Sequence, residues 1–433
     1  MLTPVMQPDA FFSRYSLDRH KHLVAAVSGG GDSLALLLLL SSFLSSRPHA
    51  PRLTAVTVDH GLRPEAAAEA RFVADFCRMR GIAHRIMVWR GQKPSTGISE
   101  ASRTARMALL AEAARDLGAD VVFTGHTRDD QAETVFMRGA RGNGRGAAGI
   151  APAALHEGAT WFVRPLLSAR RTALRAFLAA EGVGWIDDPS NDNPAYERVR
   201  ARQALSADAV EDLAVRADTA ARERIALGER AAGLIEAHLR RAAPGLYRVD
   251  GGLFTGEDET AALYAFRLAA AMAGGTAQLA GAAAAEQAFA AARSGFCATL
   301  SRAVFDVRRA GIHLHRERRN LPAVEAGSFP FLWDGRYWIE TAAGTRIAAF
   351  GSEARAAVAE GADGLPQDLV FAGQSTEPAD WRDGRLLGAA TGLGGMPARR
   401  VSAPWARLLP SFDMAPANAL TRLALGKTVM DAP

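Results

Sequence analysis

The sequence predicts an α/β fold: a doubly wound parallel sheet, then a helical middle domain and a smaller C-terminal α+β domain. Three observations carry this. Apolar runs of strand length alternate with helical repeats through the first half of the 433 residues. The chemistry-bearing residues fall at the C-terminal ends of those runs, where open parallel sheets take their ligands. The first run also opens into a helix through three consecutive glycines, Gly29, Gly30 and Gly31.

Each element follows from its pattern. Residues 23–27 are a short apolar run, read as a strand, and 34–40 are unbroken apolar, read as a buried helix. A second strand spans 53–58. Helical spacing of Phe72, Val73 and Phe76 places a helix over 65–80, closed by Gly81. Strand 82–89, helix 99–117 and strand 121–124 continue the alternation. The glycine- and arginine-rich segment 138–149 interrupts it. A further unit follows, with Arg164-Pro165-Leu166-Leu167, a helix over 168–180 and a polar turn at 187–194. A long amphipathic helix is expected over 210–239, with Leu213, Ile225, Leu227, Leu234 and Ile235 on its apolar side. An alanine-rich helical stretch then runs to about residue 293. Strand-like pieces follow at 303–307, 312–315, 337–340 and 346–350. Domain boundaries are expected near 205 and 320, giving domains 1–205, 206–320 and 321–433.

Composition narrows the function classes. The formal charge is +5, and only Lys21, Lys93 and Lys427 are lysines, so arginine supplies nearly all the positive charge. Arginine forks match phosphate oxygens, which makes an anionic partner plausible. Cys77 and Cys297 are the only cysteines and form no CxxC pair, which excludes a disulfide framework and a local zinc or iron–sulfur motif. The apolar run 34–40 is far too short to span a bilayer, and no signal peptide opens the chain. A cytoplasmic protein without a membrane partner is expected.

Ser28-Gly29-Gly30-Gly31-Asp32-Ser33 joins the first strand to the first helix. Glycines there let backbone approach a ligand closely, and a helix N-terminus aims free N–H groups at phosphate oxygens. No lysine follows, so this is not the GxxxxGK[ST] loop, and the spacing also misses GxGxxG. A second cluster, Gly125-His126-Thr127-Arg128-Asp129-Asp130-Gln131-Ala132-Glu133-Thr134, opens a helix after the fourth strand. Capping accounts for Thr127 and one carboxylate. It leaves His126 and the density of titratable groups to chemistry, with His126, Asp130 and Glu133 close together. Arg138, Arg141 and Arg145, interleaved with glycines, suit a nucleic-acid backbone or a plain connector equally well.

SGGxDS at Ser28, VDHGLR at Val58, GHxxDDxxET at Gly125, MRGxxG at Met137, RPLL at Arg164 and WxDDPSN at Trp185 occur in this order. With the run Tyr196-Glu197-Arg198-Val199-Arg200-Ala201-Arg202, they make roughly the first 205 residues resemble the tRNA(Ile)-lysidine synthases, a branch of the pyrophosphate-loop ATP-cleaving enzymes. Those enzymes usually carry Asn where Val199 stands and a tyrosine where Met107 stands. The second half matches only loosely. The resemblance implies an adenine nucleotide alpha hydrolase-like sheet and a C–N ligase. ATP would adenylate the wobble cytidine of an isoleucine tRNA with a CAU anticodon, and free lysine would then displace AMP.

On that resemblance, Ser28, Gly29, Gly30, Gly31, Asp32 and Ser33 hold the ATP phosphates, with Asp59 and His60 beside the nucleotide. Asp32 holds Mg²⁺, and Arg103 stabilises charge at phosphorus. His126 and Asp130 position the base and handle protons, and Glu133 anchors the lysine ammonium. Arg198, Arg200 and Arg202 meet tRNA phosphates, and the later domains grip the acceptor stem. The alternatives in the same superfamily are a tRNA thiolase, which needs cysteines, and a small-molecule amidoligase, which gives no reason for the arginine-rich elements after residue 137. Oligomeric state is not legible in the sequence.

Overall fold

The computed structural model describes residues 6–62, 65–140, 142, 144–187, 193–325, 327, 329–358, 364–390 and 396–433. The chain divides into two compact units, residues 1–224 with 410–412 and 430–433, and residues 225–409 with 413–429.

In the first unit, α1 (Asp9–Phe12), β1 (His22–Ala26), α2 (Gly31–Ser45), β2 (Arg52–Asp59), α3 (Ala66–Met79), β3 (Ala83–Val88) and α4 (Ile98–Asp116) follow one another. β4 (Val121–Phe123), α5 (Arg128–Gly139), β5 (Ala153–His156), β6 (Thr160–Val163), α6 (Arg171–Ala180) and α7 (Glu197–Ala204) complete it, and α8 (Ala207–His238) begins in it. Its strands lie in the order β5-β6-β4-β1-β2-β3. All neighbours are parallel except β5 on β6. The four expected strands of the first 124 residues are therefore all present and parallel. The reversal at β5 is a hairpin that the apolar pattern does not announce. It turns through Glu157 and Gly158, both at positive φ, so its signal is a glycine turn between two four-residue strands.

The core explains the helices. Leu34, Leu36, Leu37, Leu39, Leu40 and Phe43 of α2 are buried, so this helix is apolar on nearly every side, as a central helix must be. Each such leucine contributes about 1.5–3 kcal/mol by burial. Val24, Val56, Leu110, Val122 and Phe162 form a second cluster, against which Met107 packs. In α3, Val73 and Phe76 are buried but Phe72 is exposed, so the inward stripe is narrower than expected. Ile225 of α8 is also exposed, because Ala214, Ala217, Ala231 and Ile235 form the buried positions of that helix instead. No helix among the described residues is long and apolar enough to cross a membrane.

The second unit holds a five-stranded antiparallel sheet ordered β7-β8-β11-β10-β9: β7 (Leu239–Ala243), β8 (Leu246–Val249), β9 (Ala298–Leu300), β10 (Ala303–Arg308) and β11 (Gly311–Arg316). Helices α9 (Glu259–Gly274) and α10 (Ala282–Arg293) accompany it. Residues 239–249, expected to be helical, are instead the β7–β8 hairpin. Its turn residue Gly245 has φ +68°, and a Cβ there would lie 2.6 Å from the Gly373 carbonyl oxygen. Four-stranded and three-stranded sheets follow.

A buried ion network ties this unit together. Asp334 accepts from Arg316 (3.1 Å), Arg336 (2.7 Å) and Arg302 (3.2 Å). Glu377 accepts from Arg336 (2.9 Å), Arg400 (3.1 Å) and the Tyr337 hydroxyl. Arg336 thus bridges two carboxylates that are wholly shielded from solvent. Removing one member of such a network strands the other charges. Arg336→Met is expected to lower the unfolding free energy by about 3–5 kcal/mol, read as a lower urea midpoint. Arg293→Met, which removes an exposed pair with Glu259 and a loose contact over the Phe289 ring, should cost less than about 1 kcal/mol.

Candidate active site

The glycine loop is shaped by its neighbours. Gly29 has φ +89°, and a Cβ on it would lie 2.7 Å from Ile186 Cδ1. The Ile186 N–H donates to the Gly29 carbonyl at 2.9 Å, so the segment carrying Trp185 packs on the loop. Gly30 is the extended residue before α2, and the Ser33 hydroxyl donates to its carbonyl at 2.8 Å. The Ser28 N–H donates to Ser33 Oγ at 3.1 Å, so the two serines close the loop on itself. Gly125, at the end of β4, is required by proximity: a Cβ there would lie 2.8 Å from the Asp32 carbonyl oxygen. That approach sets the start of α5 directly against the start of α2.

The start of α5 is a capping box. Asp130 Nα–H donates to Thr127 Oγ1 at 3.3 Å, and Asp130 Oδ2 accepts from the Thr127 N–H (2.8 Å) and hydroxyl (2.9 Å). The expected capping role is real, yet it uses only one oxygen. Asp130 Oδ1 faces Arg171 Nη2 at 3.1 Å. Arg171 also donates to Asp32 Oδ2 (3.0 Å) and Glu133 Oε1 (3.2 Å), so one guanidinium joins three carboxylates. Glu133, with a side chain only 2% exposed, further meets Arg202 Nε at 2.8 Å and Arg198 Nε at 3.0 Å.

The electrostatics follow this crowding. Burial pushes the Asp32 carboxyl up, Asp130 adds to the rise and Arg171 opposes it. For Asp130, burial acts upward, but Arg171, His126 and Arg198 together hold it below the usual carboxylate range. His126, with Nδ1 3.1 Å from Thr124 Oγ1, is driven down to about 3 by burial and by Arg164, Arg106 and Arg103, against Asp130. It is therefore a neutral imidazole at physiological pH. Arg164 is itself pushed down to about 10 by burial, Arg103 and Arg106. Arg138 is lowered by burial, Arg103, Arg224 and Arg198. Arg103, Arg106 and Arg164 thus concentrate positive charge around His126, which suits an anionic ligand.

The other expected residues are placed as follows. Asp59 accepts from the Gly61 N–H at 2.8 Å, and His60 Nδ1 lies 3.0 Å from Ser102 Oγ, both at the C-terminal end of β2. Arg103 is exposed on α4. Arg138 donates to the Gly149 carbonyl at 2.7 Å, and the Arg145 carbonyl accepts from Arg224 at 3.0 Å. Arg200 donates to the carbonyls of Pro194 (2.7 Å) and Ala195 (2.9 Å). Arg63, Arg141 and the Asp188 to Asn191 part of the WxDDPSN element lie outside the described residues. Of the substitutions noted in the sequence, Met107 packs on the core and Val199 is buried in α7.

Arg171 is the residue that the motifs missed. Its signal was present: Arg170 and Arg171 open α6, where a cation opposes the helix dipole and needs a reason to be there. Asp129 supplies part of it, accepting from the Arg171 N–H at 2.7 Å.

For ATP and Mg²⁺ the residues fit in one way. Asp32 Oδ1 is buried without a hydrogen-bond partner, while Oδ2 holds Arg171. No group of three potential metal-binding side chains occurs among the described residues, so phosphate oxygens would complete a Mg²⁺ shell begun by this one carboxylate.

The depressed His126 has a measurable consequence. An unfolded chain binds a proton near pH 6.5, whereas the folded protein does so only near 3, so the stability from keeping His126 neutral is full above pH 6.5 and declines as pH falls toward 3. NMR titration of the imidazole should show no inflection between pH 5 and 8 in the nucleotide-free protein. An inflection near 6.5 would contradict this burial.

A PP-loop domain family model matches residues 5–209. The chain is 46% identical to the tRNA(Ile)-lysidine synthase of Mesorhizobium japonicum over 96% of its length and 95% of that protein. It is 38% identical to the tRNA(Ile)-lysidine synthase of Rhizobium meliloti, over 95% and 93%. The enzyme of the same name from Brucella anthropi is 40% identical over 75% of each chain. The glycine loop against α5, the arginine-bound carboxylates and these end-to-end matches converge: the chain belongs to the tRNA(Ile)-lysidine synthase family of PP-loop ligases.

Proposed function

We propose that the protein ligates free lysine to the wobble cytidine of a CAU-anticodon isoleucine tRNA, by way of an adenylated cytidine, releasing pyrophosphate and AMP. The observation that carries this reading is the 46% identity spanning both chains almost completely, with the glycine loop intact. In this scheme Ser28 to Ser33 and the α2 N-terminus hold the phosphates. Asp32, with its free buried oxygen, would hold Mg²⁺, which neutralises charge on the leaving pyrophosphate. Asp59 and His60, at the neighbouring strand end, lie beside the nucleotide.

The first step joins the cytidine O2 to the α-phosphorus while the bond to pyrophosphate breaks. Arg103 and the arginines it faces stabilise the charge that builds there. In the second step the lysine amine attacks C2, the C–O bond to AMP breaks, and the amine loses a proton. With a pKa of about 3, His126 in the nucleotide-free protein is too weak a base to hold that proton. Its role is to position the base, and to relay the proton once bound phosphates offset the surrounding arginines, while Asp130 fixes the start of α5.

A cavity of about 120 Å³ lies beside Glu133. Glu133, Asp129, Arg170 and Arg202 line it together with Leu205 and Val210, which suits an amino acid with a cationic end, an aliphatic stem and a carboxylate. Arg198, Arg200 and Arg202, with Arg138, Arg141 and Arg145, are assigned to RNA phosphates, and residues 206–320 and 321–433 to the body of the tRNA. The reading implies a cytoplasmic protein, where ATP and tRNA occur together. A thiolase reading is disfavoured: the two cysteines form no CxxC pair, and Cys77 is buried, with burial pushing its thiol up to about 11.

Labelled lysine should enter the isoleucine tRNA only with ATP present, with AMP and pyrophosphate released. A methionine tRNA should accept little. Equal labelling of both tRNAs, or of neither, overturns the assignment. Asp32→Ala should lower AMP release by about 10²–10³-fold while tRNA binding in a filter assay persists.

A further inference from the structure

Glu133 poses a problem for the chemistry just described. A carboxylate meant to receive a cationic co-substrate is already flanked by Arg171, Arg198 and Arg202, at 3.2, 3.0 and 2.8 Å. A fourth cation arriving there meets like charge from three sides. Something must draw a guanidinium away before an ammonium can pair with Glu133.

The three contacts are not equivalent. Arg171 and Arg202 make hydrogen bonds to Glu133 Oε1. The Arg198–Glu133 contact is close but has no hydrogen-bond geometry: Arg198 Nε and Glu133 Oε2 are both buried and both lack a hydrogen-bond partner. Arg198 is held on α5 by one hydrogen bond, from its Nη2 to Thr134 Oγ1 at 3.1 Å, and its charge is felt by Arg106 and Arg138. The element that carries it is light. α7 is eight residues long and buries only Val199 and Ala201. Arg202, one turn further on the same face, lines the cavity beside Glu133.

We propose that Arg198 and Arg202 form an anion-released latch on Glu133. Without a polyanion they neutralise the carboxylate. Phosphate groups bound over the neighbouring arginines draw Arg198, and with it α7, off Glu133, which then becomes available to the amine. The latch rests on the lysine-ligase reading. It imposes an order in which the phosphate-bearing substrate precedes lysine, so that free lysine is not held at an empty reaction centre. The phosphates can be those of the nucleotide or those of the RNA backbone.

The test is equilibrium dialysis of labelled lysine against the full-length protein under three conditions: alone, with a non-hydrolysable ATP analogue, and with the isoleucine tRNA. Lysine affinity should rise at least tenfold with one of the two phosphate sources, and the arm that responds identifies it. In Arg198→Gln, which leaves the cavity-lining Arg202 in place, lysine should bind more tightly without either addition and gain less from them. Arg198→Lys, which keeps the charge, should retain the coupling, and circular dichroism monitors the folding of both variants. Equal lysine affinity in all three conditions for the wild-type protein overturns the latch, whatever the variants do. Lysine incorporation is measured on the same preparation. Incorporation with flat affinities refutes the latch alone, whereas absence of incorporation refutes the ligase reading beneath it.

Discussion

Arg171 is the constraint on which the site depends. Asp32 comes from α2, and Asp130 and Glu133 come from α5, and the close approach at Gly125 forces these helix starts together. Three carboxylates in one half-buried space would ordinarily take up protons or push the helices apart. The Arg171 guanidinium satisfies an oxygen of each within 3.0–3.2 Å. α6 is fixed in turn, because the backbone N–H of the same residue is held by Asp129. One side chain therefore sets both the charge state of the site and the placement of a helix.

The parallel half of the fold was legible because its strands are short apolar runs separated by helices, two of which close on the glycines Gly81 and Gly118. Their C-terminal ends announced themselves through Ser28, Asp59, His60 and His126. The β5–β6 and β7–β8 hairpins were not legible. β5 (Ala153-Ala154-Leu155-His156) and β7 (Leu239-Arg240-Arg241-Ala242-Ala243) have no period to read, β6 and β8 are only four residues long, and the hairpins are marked by the turn residues Gly158 and Gly245. The same limit applies to α8, where alanines rather than the larger Ile225 fill the buried positions. Burial there depends on what lies opposite, which one helix's own pattern does not encode.

Within the site, the sequence marked the residues with familiar spacing and passed over those defined by their neighbours. Asp32, His126, Asp130 and Glu133 could be named from motifs. Arg171 could be suspected only as a cation misplaced at a helix start. Arginines read as free to meet RNA prove to have local work: Arg138 and Arg200 hold backbone carbonyls, and Arg198 and Arg202 sit on Glu133. Charge counted along a chain says nothing of which charges are already answered.

The capping box at Thr127 ties chemistry to mechanics. The oxygen of Asp130 that accepts from Thr127 belongs to the same carboxylate that faces Arg171 and His126. A proton on that carboxylate would therefore do two things at once: loosen the first turn of α5 and release the guanidinium that bridges the site. Acid would then disable this centre as a joint failing rather than as a base being titrated. Its loss of activity would carry the cooperativity of a local unfolding event.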